Sequence, residues 1–249
     1  MATYQDVIIF SLLGGVVSLV GGVLLLSQAK MAGKIADYAT PFAAGALLSA
    51  VFLDLLPEGI EVAPAENVFL AALVGMVLFF FAERFLIWFH HHHSHDSDKD
   101  RGASLIIIGD TLHNAMDGVA IAAGFLISVP TGIVTTLAVA THEIPQEVGD
   151  FGLLLNKGMS KSKIILANLL SALATLVAAL IVFSLGSSDS LPLGSLLGLS
   201  AGFLLYIASS DVIPEIHQNA AKRKFIDWQA IMFLVGVAAV AGVISLAHS

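Results

Sequence analysis

The chain has 249 residues, 57% of them apolar and only 12% charged, with a mean hydropathy of +0.90; a soluble domain is roughly 45–50% apolar and about 25% charged. A net charge of −8 is the wrong sign for neutralising phosphates and excludes a nucleic-acid partner. The absence of cysteine excludes a disulfide framework, a thiolate metal site and a thiol nucleophile.

What remains is an all-α integral membrane protein whose main partner is the lipid bilayer, since one span needs roughly 20 mostly apolar residues. Apolar runs fall at about Val7–Ser27, Tyr38–Leu56, Val68–Phe89, Leu105–Ile127, Thr131–Leu155, Ile164–Leu185, Leu193–Pro214 and Trp228–Ala247. The reading is eight transmembrane helices in one domain covering residues 1–249, joined by short connections, the longest polar one being His90–Gly102. No basic residue precedes the first run and no cleavage pattern follows it, so a removed signal peptide is not expected.

All 11 Lys and Arg residues fall at odd-numbered connections: Lys30 and Lys34; Arg84, Lys99 and Arg101; Lys157, Lys161 and Lys163; Lys222, Arg223 and Lys224. Those connections are therefore expected to be cytoplasmic, with both termini outside. The outer side carries Asp6, Glu58, Glu61, Glu66 and Asp189, an acidic rim that concentrates cations.

Span two reads Ala44-Gly45-Ala46-Leu47-Leu48, then Asp54-Leu55-Leu56-Pro57-Glu58. Span seven reads Ala201-Gly202-Phe203-Leu204-Leu205, then Asp211-Val212-Ile213-Pro214-Glu215. Both fit A-G-x-L-L-x5-D-x-[LI]-P-E, and the deduced orientation makes the two copies run oppositely. This predicts an inverted repeat in a 3+2+3 arrangement, spans one to three matching six to eight around spans four and five. Rocking or sliding of the outer repeats against the central pair would alternate access. Asp54 and Asp211 lie about a turn deeper than Glu58 and Glu215, and buried carboxylates in lipid point to an ion path.

Span four places Asp110, His113, Asn114 and Asp117 on one helical face. Span five carries His142, Glu143, Gln146, Glu147 and Asp150, with Pro145 expected to kink the helix and open backbone beside His142. An ionisable residue at mid-bilayer costs about 2.5–3.5 kcal/mol, so such a cluster needs a use. Without fixed cations in either span, the carboxylates call for a mobile one. Imidazole with carboxylate suits Zn²⁺ and other divalent first-row metals, whereas an all-oxygen site would favour Ca²⁺ or Mg²⁺.

His113-Asn114-x-x-Asp117-Gly118 together with His142-Glu143-x-Pro145-x-Glu147 resembles the ZIP (ZRT/IRT-like) family of zinc and iron transporters. Gly109-Asp110 and Glu147-Val148-Gly149-Asp150-Phe151 resemble its LIV-1-like branch. The resemblance implies a binuclear metal centre between spans four and five and a homodimer. One site would use His113, Asp117 and Glu147 with His142 or Glu143 nearby. The other would use Asn114, Asp117, Glu143 and Glu147 with Gln146 close, so that Asp117 and Glu147 bridge. Gln146 stands where many relatives have His, and span six offers only Asn168, Ser171 and Thr175 where some carry a carboxylate; for these three helix packing is the expectation.

The expected function is movement of divalent metal toward the cytoplasm, Zn²⁺ first and Fe²⁺, Mn²⁺ or Cd²⁺ as alternatives, with the metal as substrate and no catalytic cofactor. Ions would pass Asp54 and Glu58, bind the centre, and leave past Asp211, Glu215 and His217. The tract His90, His91, His92, His93 and His95 would hold metal weakly on the cytoplasmic side. No nucleotide-binding motif is present. An enzyme is not expected: the intramembrane protease pattern H-E-x-x-H fails at Gln146. The expected location is the plasma or inner membrane, with an organelle membrane as the alternative; metal export and metal sensing are rival roles.

Overall fold

The computed structural model describes residues 2–91, 98–186, 191–220 and 227–247. Among them there are only helices: α1 (Tyr4–Gly15), α2 (Leu19–Ala50), α3 (Leu56–Val62), α4 (Ala65–His91), α5 (Asp98–Ile127), α6 (Val129–Asn156), α7 (Lys161–Gly186), α8 (Leu193–Tyr206), α9 (Ile213–Ala220) and α10 (Trp228–Ala247). Helix starts carry the expected polar caps. Thr3 and Asp6 form a reciprocal capping box at α1, Ser128 accepts from the Thr131 N–H at α6, and Asp227 accepts from the Gln229 and Ala230 N–H groups at α10.

Six stretches are long and apolar enough to cross a membrane: Tyr4–Met31, Asp37–Val62, Ala65–Phe85, Lys161–Gly186, Leu193–Ser210 and Trp228–Leu246. They match the first, second, third, sixth, seventh and eighth expected spans. The expected fourth and fifth are α5 and α6, equally long but loaded with the ionisable residues that lower their hydropathy. The outer faces are apolar: Phe69, Leu70, Leu73 and Phe81 of α4 and Leu166, Leu170 and Val177 of α7 are all more than half exposed. Surfaces of that kind need hydrocarbon rather than water around them. The protein is an integral multi-pass membrane protein.

Two expectations about connections change. The first two spans are joined within α2, whose backbone breaks at Gln28 (φ −142°, ψ 67°); the Nζ of Lys161 donates to the Leu26 carbonyl there at 2.7 Å. The loop expected at 90–102 is shorter, since α4 reaches His91 and α5 starts at Asp98. Helix α6 continues through Pro145, whose missing N–H leaves the Thr141 carbonyl without its intrahelical donor. A widened backbone lies beside Pro57 and Pro214.

At Val51–Leu55 and Ile207–Val212 the helix opens to a π-turn. The N–H of Leu56 donates to the Val51 carbonyl, and that of Ile213 to the Ala208 carbonyl, each reaching five residues back. Each donor directly precedes the motif proline. A proline ring collides with the carbonyl four residues earlier, and a widened turn moves that carbonyl aside. The two motif copies thus share a backbone feature as well as a sequence.

They also share a packing feature. A Cβ on Gly45 would run into the Phe233 carbonyl of α10, and one on Gly202 into the Ala72 carbonyl of α4. The reciprocal approaches are Gly236 on the Phe42 carbonyl and Gly75 on the Leu199 carbonyl. Small residues let backbones approach closely, which is how helices cohere where lipid offers no hydrophobic drive. Around the ionisable helices the same device recurs with different partners: Gly118 of α5 lies on the Thr175 carbonyl of α7, and Gly22 of α2 on the Phe151 ring of α6.

Every such close approach among the described residues stays within one of two units. One comprises the C-terminal part of α2 with α3, α4, α8 and α10. The other comprises α1, the N-terminal part of α2, α5, α6 and α7. Each expected three-span repeat gives one span to the unit around α5 and α6 and two to the other. Between the units lies an apolar layer of small and aliphatic side chains, including Leu47, Ala50, Leu204 and Ala208 against Ala123, Val134 and Ala138.

Candidate metal centre

Helical spacing puts His113 and Asp117 one turn apart on α5, and α6 presents the adjacent pair His142 and Glu143. All four are buried, and their ligating atoms lie within 4.8 Å of one another. The Nε2 atoms of the two histidines are 3.1 Å apart. His113 Nε2 is 3.8 Å from Asp117 Oδ2 and 3.5 Å from Glu143 Oε1. His142 Nε2 is 3.3 Å from Asp117 Oδ2 and 3.9 Å from Glu143 Oε1. Ligands at about 2.0–2.2 Å from a tetrahedral zinc stand roughly 3.3–3.6 Å from each other. The donor set and its spacing fit Zn²⁺.

The tautomer of His142 follows from its other nitrogen. Nδ1 lies 3.0 Å from the Ala138 carbonyl, which only accepts, so Nδ1–H donates and Nε2 keeps its lone pair for the cluster. The ion-pair partners of Asp117 and Glu143 here are these imidazoles, not ammonium or guanidinium groups. Neither oxygen of Glu143, nor Oδ2 of Asp117, has a hydrogen-bond donor among the described residues. Buried carboxylate oxygens without donors are costly unless a cation reaches them.

Glu147, one turn beyond Glu143, is 1% exposed and both of its oxygens also lack a donor. It stands outside the four-residue group, within the fields of Asp110 and Asp150. Gln146 is half-buried. Asn114 is buried but committed elsewhere: its amide nitrogen donates to Asp110 Oδ1 at 2.8 Å, and its oxygen accepts from Thr175 Oγ1 at 3.0 Å. Ser171 Oγ lies 3.5 Å from the same amide nitrogen, while Asn168 bonds back to the Ile164 carbonyl. Asn114 is therefore the hub of a polar seam joining α5 to α7, and the expected packing role of Ser171 and Thr175 is realised on it.

Along the expected path, Asp54 is buried in the widened turn and Glu58 half-buried in α3. Asp211 lies in the second widened turn, Glu215 and the exposed His217 in α9. His90 and His91 end α4; His92, His93 and His95, with Asp189, Lys222, Arg223 and Lys224, lie outside the described residues. Sequence reading missed Phe79, whose ring stands edge-on to His113 with centroids 5.6 Å apart. One aromatic among many in an apolar span carries no signal of its own.

The profile of the family described as "ZIP Zinc transporter" matches residues 90–244. The chain belongs to the ZIP zinc transporter family. Similar proteins include the zinc transporter ZIP10 of Danio rerio, 39% identical over 131 residues, which is 51% of this chain and 16% of that protein. Human zinc transporter ZIP4 is 39% identical over 110 residues, 44% of this chain and 17% of ZIP4. The zinc transporter zipt-7.2 of Caenorhabditis elegans is 38% identical over 123 residues, 48% of this chain and 27% of that protein. The matches thus span under a third of these relatives. The LIV-1-like character of the ZIP motifs stands with ZIP10 and ZIP4.

Proposed function

We propose that the chain carries Zn²⁺ across the membrane toward the cytoplasm through the centre between α5 and α6. The observation that carries this reading is the buried group His113, Asp117, His142 and Glu143, with ligating atoms within 4.8 Å of one another and carboxylate oxygens that no donor among the described residues satisfies. A resident structural metal would favour a closed, stable shell. Here the adjoining Glu147, whose oxygens lack a donor among the described residues, offers a next position, with Asp117 and Glu147 bridging the two sites so that the ion steps rather than stays. Asn114, which also ties α5 to α7, contributes to the second site with Gln146 close. Fe²⁺, Mn²⁺ and Cd²⁺ fit the same donors less selectively.

The remaining finer points belong to the same proposal. The chain crosses eight times, with α5 and α6 as the fourth and fifth spans shielded by their neighbours. The two motif copies form an inverted repeat, and both termini lie outside. Ions arrive past Asp54 and Glu58 and leave past Asp211, Glu215 and His217. Access alternates when the unit carrying the metal centre slides along the apolar layer, which has no directional bonds to break. A homodimer in the plasma or inner membrane remains the expectation from the family resemblance.

Radiotracer zinc uptake into proteoliposomes tests the reading. The double substitution His113→Ala with Glu147→Ala should abolish uptake. Unchanged uptake would overturn the site assignment, and net efflux under an inward gradient would overturn the direction.

A further inference from the structure

The two packing units touch at the metal centre through an aromatic stack. Phe79 of α4 is buried and meets the His113 ring at 86°. It is stacked on Tyr206 of α8, with centroids 5.1 Å apart and 28° between planes. The Tyr206 hydroxyl donates to Glu83 Oε2 at 2.6 Å, and Glu83 lies one turn beyond Phe79 on the same face of α4. Glu83 thus anchors Tyr206, Tyr206 backs Phe79, and Phe79 covers the imidazole.

The other half of the molecule lacks this arrangement. Counted from the matched glycines, the position of Tyr206 corresponds to Ser49, and those of Phe79 and Glu83 to Val240 and Ile244. Ser49 donates to the Val237 carbonyl at 3.2 Å. Both halves achieve the same glycine-to-carbonyl packing, so the acid and the phenol are not required for α4 to pack on α8. They sit on the one side where a ring reaches the metal centre. Tyr206 also directly precedes the widened turn Ile207–Val212, where a helix most readily changes its hydrogen-bond register.

We propose that Phe79 and Tyr206 form an aromatic gate against the metal centre, and that Glu83, acting through the Tyr206 hydroxyl, is the positioning residue that holds it shut. Opening swings Tyr206 off Glu83 and releases the Phe79 ring from His113. The gate's part in transport rests on the function proposed above; its existence does not.

The chain has no cysteine, so one introduced thiol reports access cleanly. Met116→Cys serves: Met116 lies one turn from His113 and packs against the apolar cluster that contains Phe79. The readout is its modification rate by a small charged thiol reagent in the reconstituted full chain. Tyr206→Phe keeps the ring and loses only the hydroxyl, and Glu83→Leu removes the acceptor. Each should speed labelling about tenfold, the order expected for losing a hydrogen bond to a charged group. The double variant should be no faster than either, and Glu83→Gln, which can still accept, should restore slow labelling. Zinc affinity by calorimetry and the KM for uptake should stay at the parent value while the maximal uptake rate changes. Unmoved labelling rates, or effects that multiply in the double variant, overturn the gate. Shifted labelling in a protein that transports no zinc supports the gate and overturns the transport reading alone.

Discussion

The unit built from α4, α8, α10 and the C-terminal part of α2 and the unit built from α1, α5, α6 and α7 are held together by the same means and filled with different chemistry. Both press glycines onto facing carbonyls, Gly45 and Gly202 in the first, Gly118 in the second. The first is otherwise largely alanine, leucine, valine and phenylalanine, with Asp54 as its buried ionisable residue at a widened turn. The second buries Asp110, His113, Asp117, His142, Glu143 and Glu147. Close backbone packing is thus a general solution for cohesion in lipid. Metal chemistry is added by placing donors on two helices that other helices screen from hydrocarbon.

The strongest test of that shared packing is a valine at Gly202 and, separately, at Gly45. Each places branched carbon where a backbone carbonyl sits, and overpacking of this kind costs about 3 kcal/mol or more. Thermal stability in detergent should fall by similar amounts for both; a tolerated Gly45→Val beside an unfolded Gly202→Val would break the match between halves. In the second unit, Asp117→Asn keeps shape but removes charge, and zinc uptake should fall by more than the roughly 10–100-fold typical of losing an outer-shell partner. Its melting temperature should hold, because Oδ2 of Asp117 has no donor among the described residues.

Protons compete with zinc for the same imidazoles and carboxylates, so uptake should fall as the pH is lowered. Uptake that does not respond to acidification at all would remove these ligands from the ion's path. Asn114→Ala should cost about 1–3 kcal/mol of stability by stranding Asp110 and Thr175, with a smaller effect on zinc affinity than Asp117→Asn. The least effect belongs to Ser49→Ala, about 1 kcal/mol or less, with uptake unchanged. Should Ser49→Ala impair uptake as Tyr206→Phe does, the asymmetry between halves that defines the gate is lost.

Residue identity and helical spacing were enough to bring His113, Asp117, His142 and Glu143 into one hypothesis, because a period of 3.6 converts sequence distance into a face. They were also enough to match the two copies of the motif, since Gly45 and Gly202 lie at the same distance from Pro57 and Pro214. The same spacing did not reveal that Asn114 also bonds to Asp110 and Thr175 and so ties α5 to α7. Glu83 and Tyr206 were invisible for another reason: they lie 123 positions apart, and no local pattern links them.

Composition and charge, then, were sufficient to specify a multi-pass helical protein with a divalent-metal donor set, because solvent preference and ligand chemistry are properties of single residues and their immediate neighbours. How the spans partner, where the proline-adjacent turns widen, and which ring covers His113 came only from the tertiary structure. Those outcomes depend on the fit between surfaces distant in the chain, where one glycine or one phenol decides the contact and hydropathy along the sequence cannot register it.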